Sequence, residues 1–142
     1  MAQAEKNKQV VRRLIERGIH DMKTNPAAAH EYFAENYKEH TPTHHERNDL
    51  EGFKDMMGDV HDVSPDVQMN VLDQAADGDL VFTHWQAKGT HQKAHQKHRT
   101  LKGVKPSGRE EQVSGVFIHR LHNGKIVESW TYDNTHQIAM KG

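Results

Sequence analysis

Asp133 is the residue in this chain best placed to do chemistry. It closes the extended run Gly124-Lys125-Ile126-Val127-Glu128-Ser129-Trp130-Thr131-Tyr132-Asp133, which follows the turn pair Asn123-Gly124. Side chains alternate along a strand, so Ser129, Thr131 and Asp133 share one face and Trp130 and Tyr132 the other. A carboxylate facing an apolar cavity can accept a proton from a carbon acid. The plainer reading is that Asp133 and Asn134 end the strand and cap the turn after it.

Histidine is the other source of acid/base groups, with 13 in the chain. Its ring titrates near ~6.5, so small environmental shifts make it an acid or a base at working pH. His40 ends Tyr37-Lys38-Glu39-His40, and His91 ends Gly89-Thr90-His91. His119 shares its alternating face with Phe117 and Gly115. The run His91-Gln92-Lys93-Ala94-His95-Gln96-Lys97-His98 spaces His91 and His95 as a helical metal pair would be. No Asp or Glu lies inside it to complete a site, so it reads as a solvated lid loop, and His44-His45 reads the same way. No metal and no cofactor is expected. The chain has no cysteine, no Gly-rich phosphate loop, no dinucleotide fingerprint and no Ser/His/Asp series in a recognisable setting.

The elements that must position these residues follow from periodicity. Val11, Leu14, Ile15, Ile19 and Met22 recur at helical spacing and predict a helix over 4–22, with Gly18 its weak spot. Thr24-Asn25-Pro26 predicts a short second helix over 26–34, contributing Tyr32 and Phe33. A short extended piece follows at 37–41, then a loop from Pro42 to Arg47. Asn48 with Glu51 predicts a capped third helix over 49–61 with Leu50, Phe53, Met57 and Val60 on its inner stripe, ended by Ser64-Pro65. Val67, Met69 and Val71 then switch to period two. Asp77-Gly78 and Asn123-Gly124 predict hairpin turns, joining strands over 80–90, 112–122 and 125–135, with a polar loop at 92–110. Helices followed by long antiparallel strands make an α+β layout, with one domain over 1–142.

Composition narrows the function classes. Net charge is −1, from 19 basic and 20 acidic residues spread along the chain, so no basic face for nucleic acid is expected. No apolar run approaches the ~20 residues of a membrane span. Met1-Ala2-Gln3-Ala4-Glu5 lacks the layout of a signal peptide, and a cytoplasmic protein is expected. Hydrophobic content is 34%, low against the usual ~45–50%, a reference that also counts glycine. That favours one modest core plus an oligomer interface.

Gly89-Thr90-His91, the turn Lys105-Pro106-Ser107-Gly108-Arg109 and the last strand, in this order, resemble the SnoaL-like polyketide cyclase/ester cyclase family of the nuclear-transport-factor-2-like (NTF2-like) superfamily. The resemblance runs from Val10-Val11-Arg12-Arg13 to Asp133. It implies a cone: three N-terminal helices packed on a strongly curved, mixed, mainly antiparallel sheet enclosing one pocket. In polyketide cyclases of this family the general acid/base is an aspartate directly after the aromatic or arginine of the last-strand motif. That position is Thr131 here, and Asp133 lies one pleat further on the same face. Cyclases carry polar pocket residues at the positions of Gly115 and Phe117. The family often shows Tyr-x-x-His at Tyr37 to His40, at the pocket mouth, and commonly a Trp at Trp85. Arg109 ends a Pro-x-Gly-Arg turn whose part is structural. Family members are often dimers through the outer sheet face, where Leu80, Phe82, Val116 and Ile118 would fall.

The expectation is a small-molecule enzyme, cyclase or isomerase-like, doing acid/base chemistry on an apolar carbonyl-bearing substrate. Asp133, His40 and His91 are the candidate catalytic residues. Phe53, Met57, Trp85, Phe117, His119 and Thr131 are the candidate pocket lining. The alternative is a non-catalytic binder of a small ligand, because Thr131 stands where cyclases have aspartate. The expected partners are that ligand and a second copy of the chain.

Overall fold

A computed structural model describes residues 2–40, 47–96, 101–135 and 137–138. Its first helix changes pitch part-way. α1 (Gln3–Arg13) runs into a π-helical turn over Leu14–Gly18 and then α2 (Ile19–Asp21). Val11, Leu14, Ile15, Ile19 and Met22 are all buried, as their spacing predicts. Gly18 has a packing reason: a Cβ there would lie 2.7 Å from the Tyr32 ring.

The second helix is shorter than predicted. A 3₁₀ stretch over Pro26–Glu31 gives way at once to β1 (Phe33–Glu39), so Tyr32 and Phe33 leave the helix. Both remain in the core. Aromatic residues suit a pleated, half-buried surface, and a partner strand is at hand: the Ile126 N–H donates to the Tyr32 carbonyl at 2.8 Å. α3 (Leu50–Val63) is capped one residue later than the sequence suggests. Asp49, not Asn48, accepts from the Gly52 N–H, at 2.9 Å.

The remaining strands are β2 (Gln68–Asp77), β3 (Leu80–Thr90), β4 (Glu110–His122) and β5 (Lys125–Asp133). They form one sheet in the order β1-β5-β4-β3-β2. β1 and β5 run parallel, and the other pairs are antiparallel hairpin neighbours. Asn123 and Gly124 both take positive φ, 51° and 79°, as the two-residue turn between β4 and β5 requires. Register breaks between Val71 and Asp73 and between Arg120 and Leu121 add bend and twist. The result is the expected α+β cone, with helices packed on a mixed, curved, five-stranded sheet. Among the described residues no helix is long and apolar enough to cross a membrane.

Candidate active site

The concave face of the sheet and the helices enclose a cavity of about 160 Å³. Leu14 and Ile15 of the π turn, Phe53, Met57 and Val60 of α3, and Trp85, Ala87, Val113 and Phe117 of the sheet give it a largely apolar wall. The rings of Trp85 and Phe117 stack, with centroids 4.7 Å apart and planes at 14°. Alternation puts Ser129, Thr131 and Asp133 of β5 on the same wall, beside His119 of β4. Phe53, Met57, Trp85, Phe117, His119 and Thr131 thus all line one cavity, together with Asp133 and His91.

His40 stands elsewhere. Its side chain is exposed, its Nε2 lies 2.7 Å from Glu128 Oε2, and its ring stacks on Trp130 at 4.9 Å. The parity of β1 explains this: Tyr37 and Glu39 turn inward, so Lys38 and His40 turn outward. His40 therefore meets Glu128, not Asp133, and is absent from the cavity wall.

The same parity brings in a carboxylate that motif reading passed over. Glu39 is buried, at 6% exposure, and lines the cavity. Its Oε2 accepts from Ser129 Oγ at 3.0 Å and, more weakly, from Thr131 Oγ1 and the Tyr37 hydroxyl, both at 3.4 Å. Tyr37 and Ser129 hydroxyls also bond to each other. Burial first, and then the charge of Glu39, hold the Tyr37 hydroxyl well above its ordinary value, so it stays a donor. At the position that the resemblance assigns to an aspartate, this chain has Thr131, hydrogen-bonded to a glutamate on the neighbouring strand. The signal was the period-two alternation of Tyr37 and Glu39.

Asp133 both faces the cavity and caps the chain. Its Oδ1 accepts from the Thr135 N–H at 3.1 Å and from Thr135 Oγ1 at 2.8 Å. Asn134 Oδ1 accepts from the Ser114 N–H at 2.9 Å, extending the pairing of β5 with β4. Gly115 is the register partner of Asp133. A Cβ on Gly115 would fall 2.3 Å from the Tyr132 carbonyl oxygen and 2.8 Å from Asp133 Cβ. The missing side chain is what lets the end of β5 close down. Gly115→Ala should therefore lower stability by ~1–3 kcal/mol, the cost of overpacking, as read from urea unfolding.

The histidines of the cavity are not solvated. His119 is held at about 3, far below its ordinary 6.5, by burial alone. It is a neutral ring near pH 7, and its Nδ1 has no partner among the described residues. His91 is 3% exposed and its two ring nitrogens also lack partners there. Burial first, and then the neighbouring His95, lower its pKa. Residues 91–96 of the run expected to be a solvated lid are instead tied down. Gln92 N–H donates to the Val63 carbonyl at 2.9 Å, and His91 exchanges backbone bonds with Arg109 and Gly108. His95 and Leu101 are buried in the cavity wall. The missing acid comes from another element: Asp59 Oδ2 of α3 lies 2.6 Å from His95 Nδ1. Among the described residues no three His, Asp or Glu side chains are grouped to hold a metal ion. His44, His45 and His98 lie outside the described residues.

The family model for SnoaL-like polyketide cyclases matches residues 9–140. The chain belongs to the SnoaL-like polyketide cyclase family. Among solved structures, it is similar to a protein from Jannaschia sp. CCS1 assigned as a SnoaL-like polyketide cyclase, with TM-score 0.77 and 18% identity over 97% of this chain and 92% of that one. It is also similar to IdmH of Streptomyces antibioticus, assigned as a polyketide cyclase, with TM-score 0.71 and 24% identity over 99% and 100%. AclR of Streptomyces galilaeus, assigned as a hydroxylase, gives TM-score 0.72 and 18% identity over 98% and 82%. At these identities the likeness shows the fold, and the different names on one scaffold leave the reaction to the site. No curated protein matches the sequence.

Proposed function

We propose that this SnoaL-like protein is an acid/base enzyme, cyclase or isomerase-like, acting on an apolar, carbonyl-bearing small molecule. The observation that carries this is the cavity wall: a carboxylate, Asp133, with buried polar nitrogens set among hydrocarbon. Trp85 is 4% exposed, and its Nε1–H has no partner among the described residues. An indole N–H only donates, and leaving it unsatisfied costs ~1–3 kcal/mol. A ligand oxygen in the cavity would restore the bond.

In this reading Asp133 takes the proton from the carbon α to the carbonyl. The C–H electron pair forms the enolate C=C bond, and the carbonyl π pair moves onto oxygen. Neutral donors such as Trp85 Nε1–H, His91 and His119 suit that oxygen, because they stabilise charge as it develops. Returning the proton at another carbon is isomerisation. Attack of the enolate carbon on a second carbonyl, with the proton given to the new alkoxide, is ring closure. The test uses 2-tetralone, an apolar bicyclic ketone. The protein should accelerate exchange of its α-protons for deuterium, followed by NMR, and exchange at the buffer rate would overturn the catalytic reading.

Two observations favour the competing reading, a non-catalytic binder. Thr131 stands at the cyclase aspartate position, and Asp133 Oδ1 is engaged by Thr135. Binding of 2-tetralone without exchange would select that reading.

A second copy of the chain is the proposed partner. Leu80, Phe82, Val116 and Ile118 are half-buried on the outer face, and Leu72 and Tyr132 are 47% and 58% exposed. A sheet with apolar residues on both faces tends to be covered on both. Analytical ultracentrifugation at micromolar concentration should show a dimer that Tyr132→Glu shifts towards monomer. A monomeric parent protein would reject the interface.

A further inference from the structure

A second cavity, of about 300 Å³, lies beyond a hydrocarbon wall formed by Ile15, Ile19, Val67 and Met69. The same four side chains line the main cavity, so one layer of side chains separates the two spaces. The volume is at the lower end of small-molecule sites, ~300–1,000 Å³. Three elements place polar groups around it. The π-helical turn contributes Glu16, and His20 follows four residues on, on the same side as Ile15 and Ile19. Helical turns of this kind are frequent at functional sites. β2 is an edge strand of the sheet, and Gln68 and Asn70, two residues apart, share one face of it. His61 comes from the last turn of α3.

His61 makes this more than a surface notch. It is 7% exposed, and its Nδ1 has no hydrogen-bond partner among the described residues. A buried polar group left so is costly. Burial first, and then Lys23 and His20, lower its pKa, against the Met57 carbonyl one turn back, which raises it. The ring is therefore neutral near pH 7, with one nitrogen that donates and one that accepts. The amides of Gln68 and Asn70 also do both. Glu16 is an acceptor whose charge is balanced by Arg12 Nη1 at 2.9 Å. An anion would meet the Glu16 carboxylate. An ammonium group would meet Lys23, which is near enough to act on His61. Hydroxyl groups, each a donor and an acceptor, match the set. The four apolar side chains offer a surface to the carbon ring that carries those hydroxyls.

We infer that this cleft is a second binding site, for a neutral cyclic polyol of monosaccharide size. His61, Gln68 and Asn70 take its hydroxyls, and Ile15, Ile19, Val67 and Met69 pack against its ring. The site is separate from the main cavity and depends neither on Asp133 being a base nor on the main cavity holding a ligand.

The probe is myo-inositol, a neutral ring of hydroxyls with no reactive end, followed by NMR on the ¹⁵N-labelled full chain. It should shift the side-chain amide signals of Gln68 and Asn70 saturably, with a dissociation constant on the order of 1 mM, the usual reach of so small a ligand. The indole signal of Trp85, which reports the main cavity, should stay. Cyclohexanol, the same size of ring with one hydroxyl, should not saturate the site. Asn70→Ala alters an exposed side chain outside the main cavity wall. It should weaken inositol binding about tenfold, the worth of one hydrogen bond, while the rest of the spectrum holds. Shifts that never saturate, a moved Trp85 signal, equal shifts with cyclohexanol, or full inositol affinity in Asn70→Ala would each overturn the proposal. Saturable binding of acetate in place of inositol would also overturn it, because it marks an anion site. Inositol binding by a protein that does not bind 2-tetralone would sink the main-cavity reading and keep this site. Tetralone binding without inositol binding would do the reverse.

Discussion

Asp133→Asn is expected to slow the exchange of 2-tetralone α-protons by ~10²–10⁴, the usual cost of losing a general base. The melting temperature should hardly move. The structure gives the reason for this separation. The end of β5 is capped by Asp133 Oδ1, which accepts from the Thr135 N–H and hydroxyl. Asparagine keeps that carbonyl-type acceptor and its shape. It loses only the capacity to take a proton. Stability and rate are therefore decoupled at this position, unlike at Gly115, where any side chain presses on the β5 backbone. Full exchange in a folded Asp133→Asn protein would remove Asp133 as the base. Glu39 would be the next carboxylate to replace, by glutamine, because it lines the same cavity. Loss of exchange together with a large fall in melting temperature would point to the capping role instead.

Local pattern carried as far as local pattern reaches. The alternation of β5 put Ser129, Thr131 and Asp133 on one face, and they share the cavity. The helical spacing from Val11 to Met22 marked a buried stripe, and it is buried. What local pattern missed is non-local. Tyr32 and Phe33 fit the inner stripe of a short helix as well as the start of a strand. Only the parallel pairing of β1 with β5, from the far end of the chain, decides for the strand. His40 was marked by the Tyr-x-x-His pattern of the resemblance, whereas strand alternation turns its neighbour Glu39 to the cavity and His40 to the opposite face. The histidine run failed for the same reason. A search for an acid within the run finds none, because the acid is Asp59 on a helix that folds back over the loop. Gly18 looked like a weak helix position, yet it leaves room for a ring 14 residues further along the chain. In each case a contact across the fold gave the residue its meaning.

The other large effect expected is in pH dependence. His119 sits inside the sheet wall with its pKa lowered from 6.5 to about 3 by burial. A ring of this kind is neutral when folded but takes a proton in the unfolded chain below ~6.5. The unfolded state then binds more protons, so stability falls as pH falls. The contribution is complete above the unfolded value and is lost progressively between 6.5 and about 3. At ~1.4 kcal/mol per pH unit, the whole span is worth about 5 kcal/mol. That is comparable to the entire stability of a typical domain, ~5–15 kcal/mol. His61 and His91 are lowered too, each mainly by burial, and act in the same direction. Urea unfolding between pH 7 and 4.5 should therefore show a steep acid loss in the parent protein. His119→Gln removes the titration but keeps a polar side chain, so the slope should fall by ~1.4 kcal/mol per pH unit, leaving the part due to His61 and His91. Its absolute stability at pH 7 will also drop, since the ring packs 5.5 Å from Phe117. The slope, not the level, is the test. Parallel curves for the two proteins would mean that His119 takes up its proton at the same pH folded as unfolded. The ring would then be solvated and not a buried donor held ready for the developing enolate oxygen.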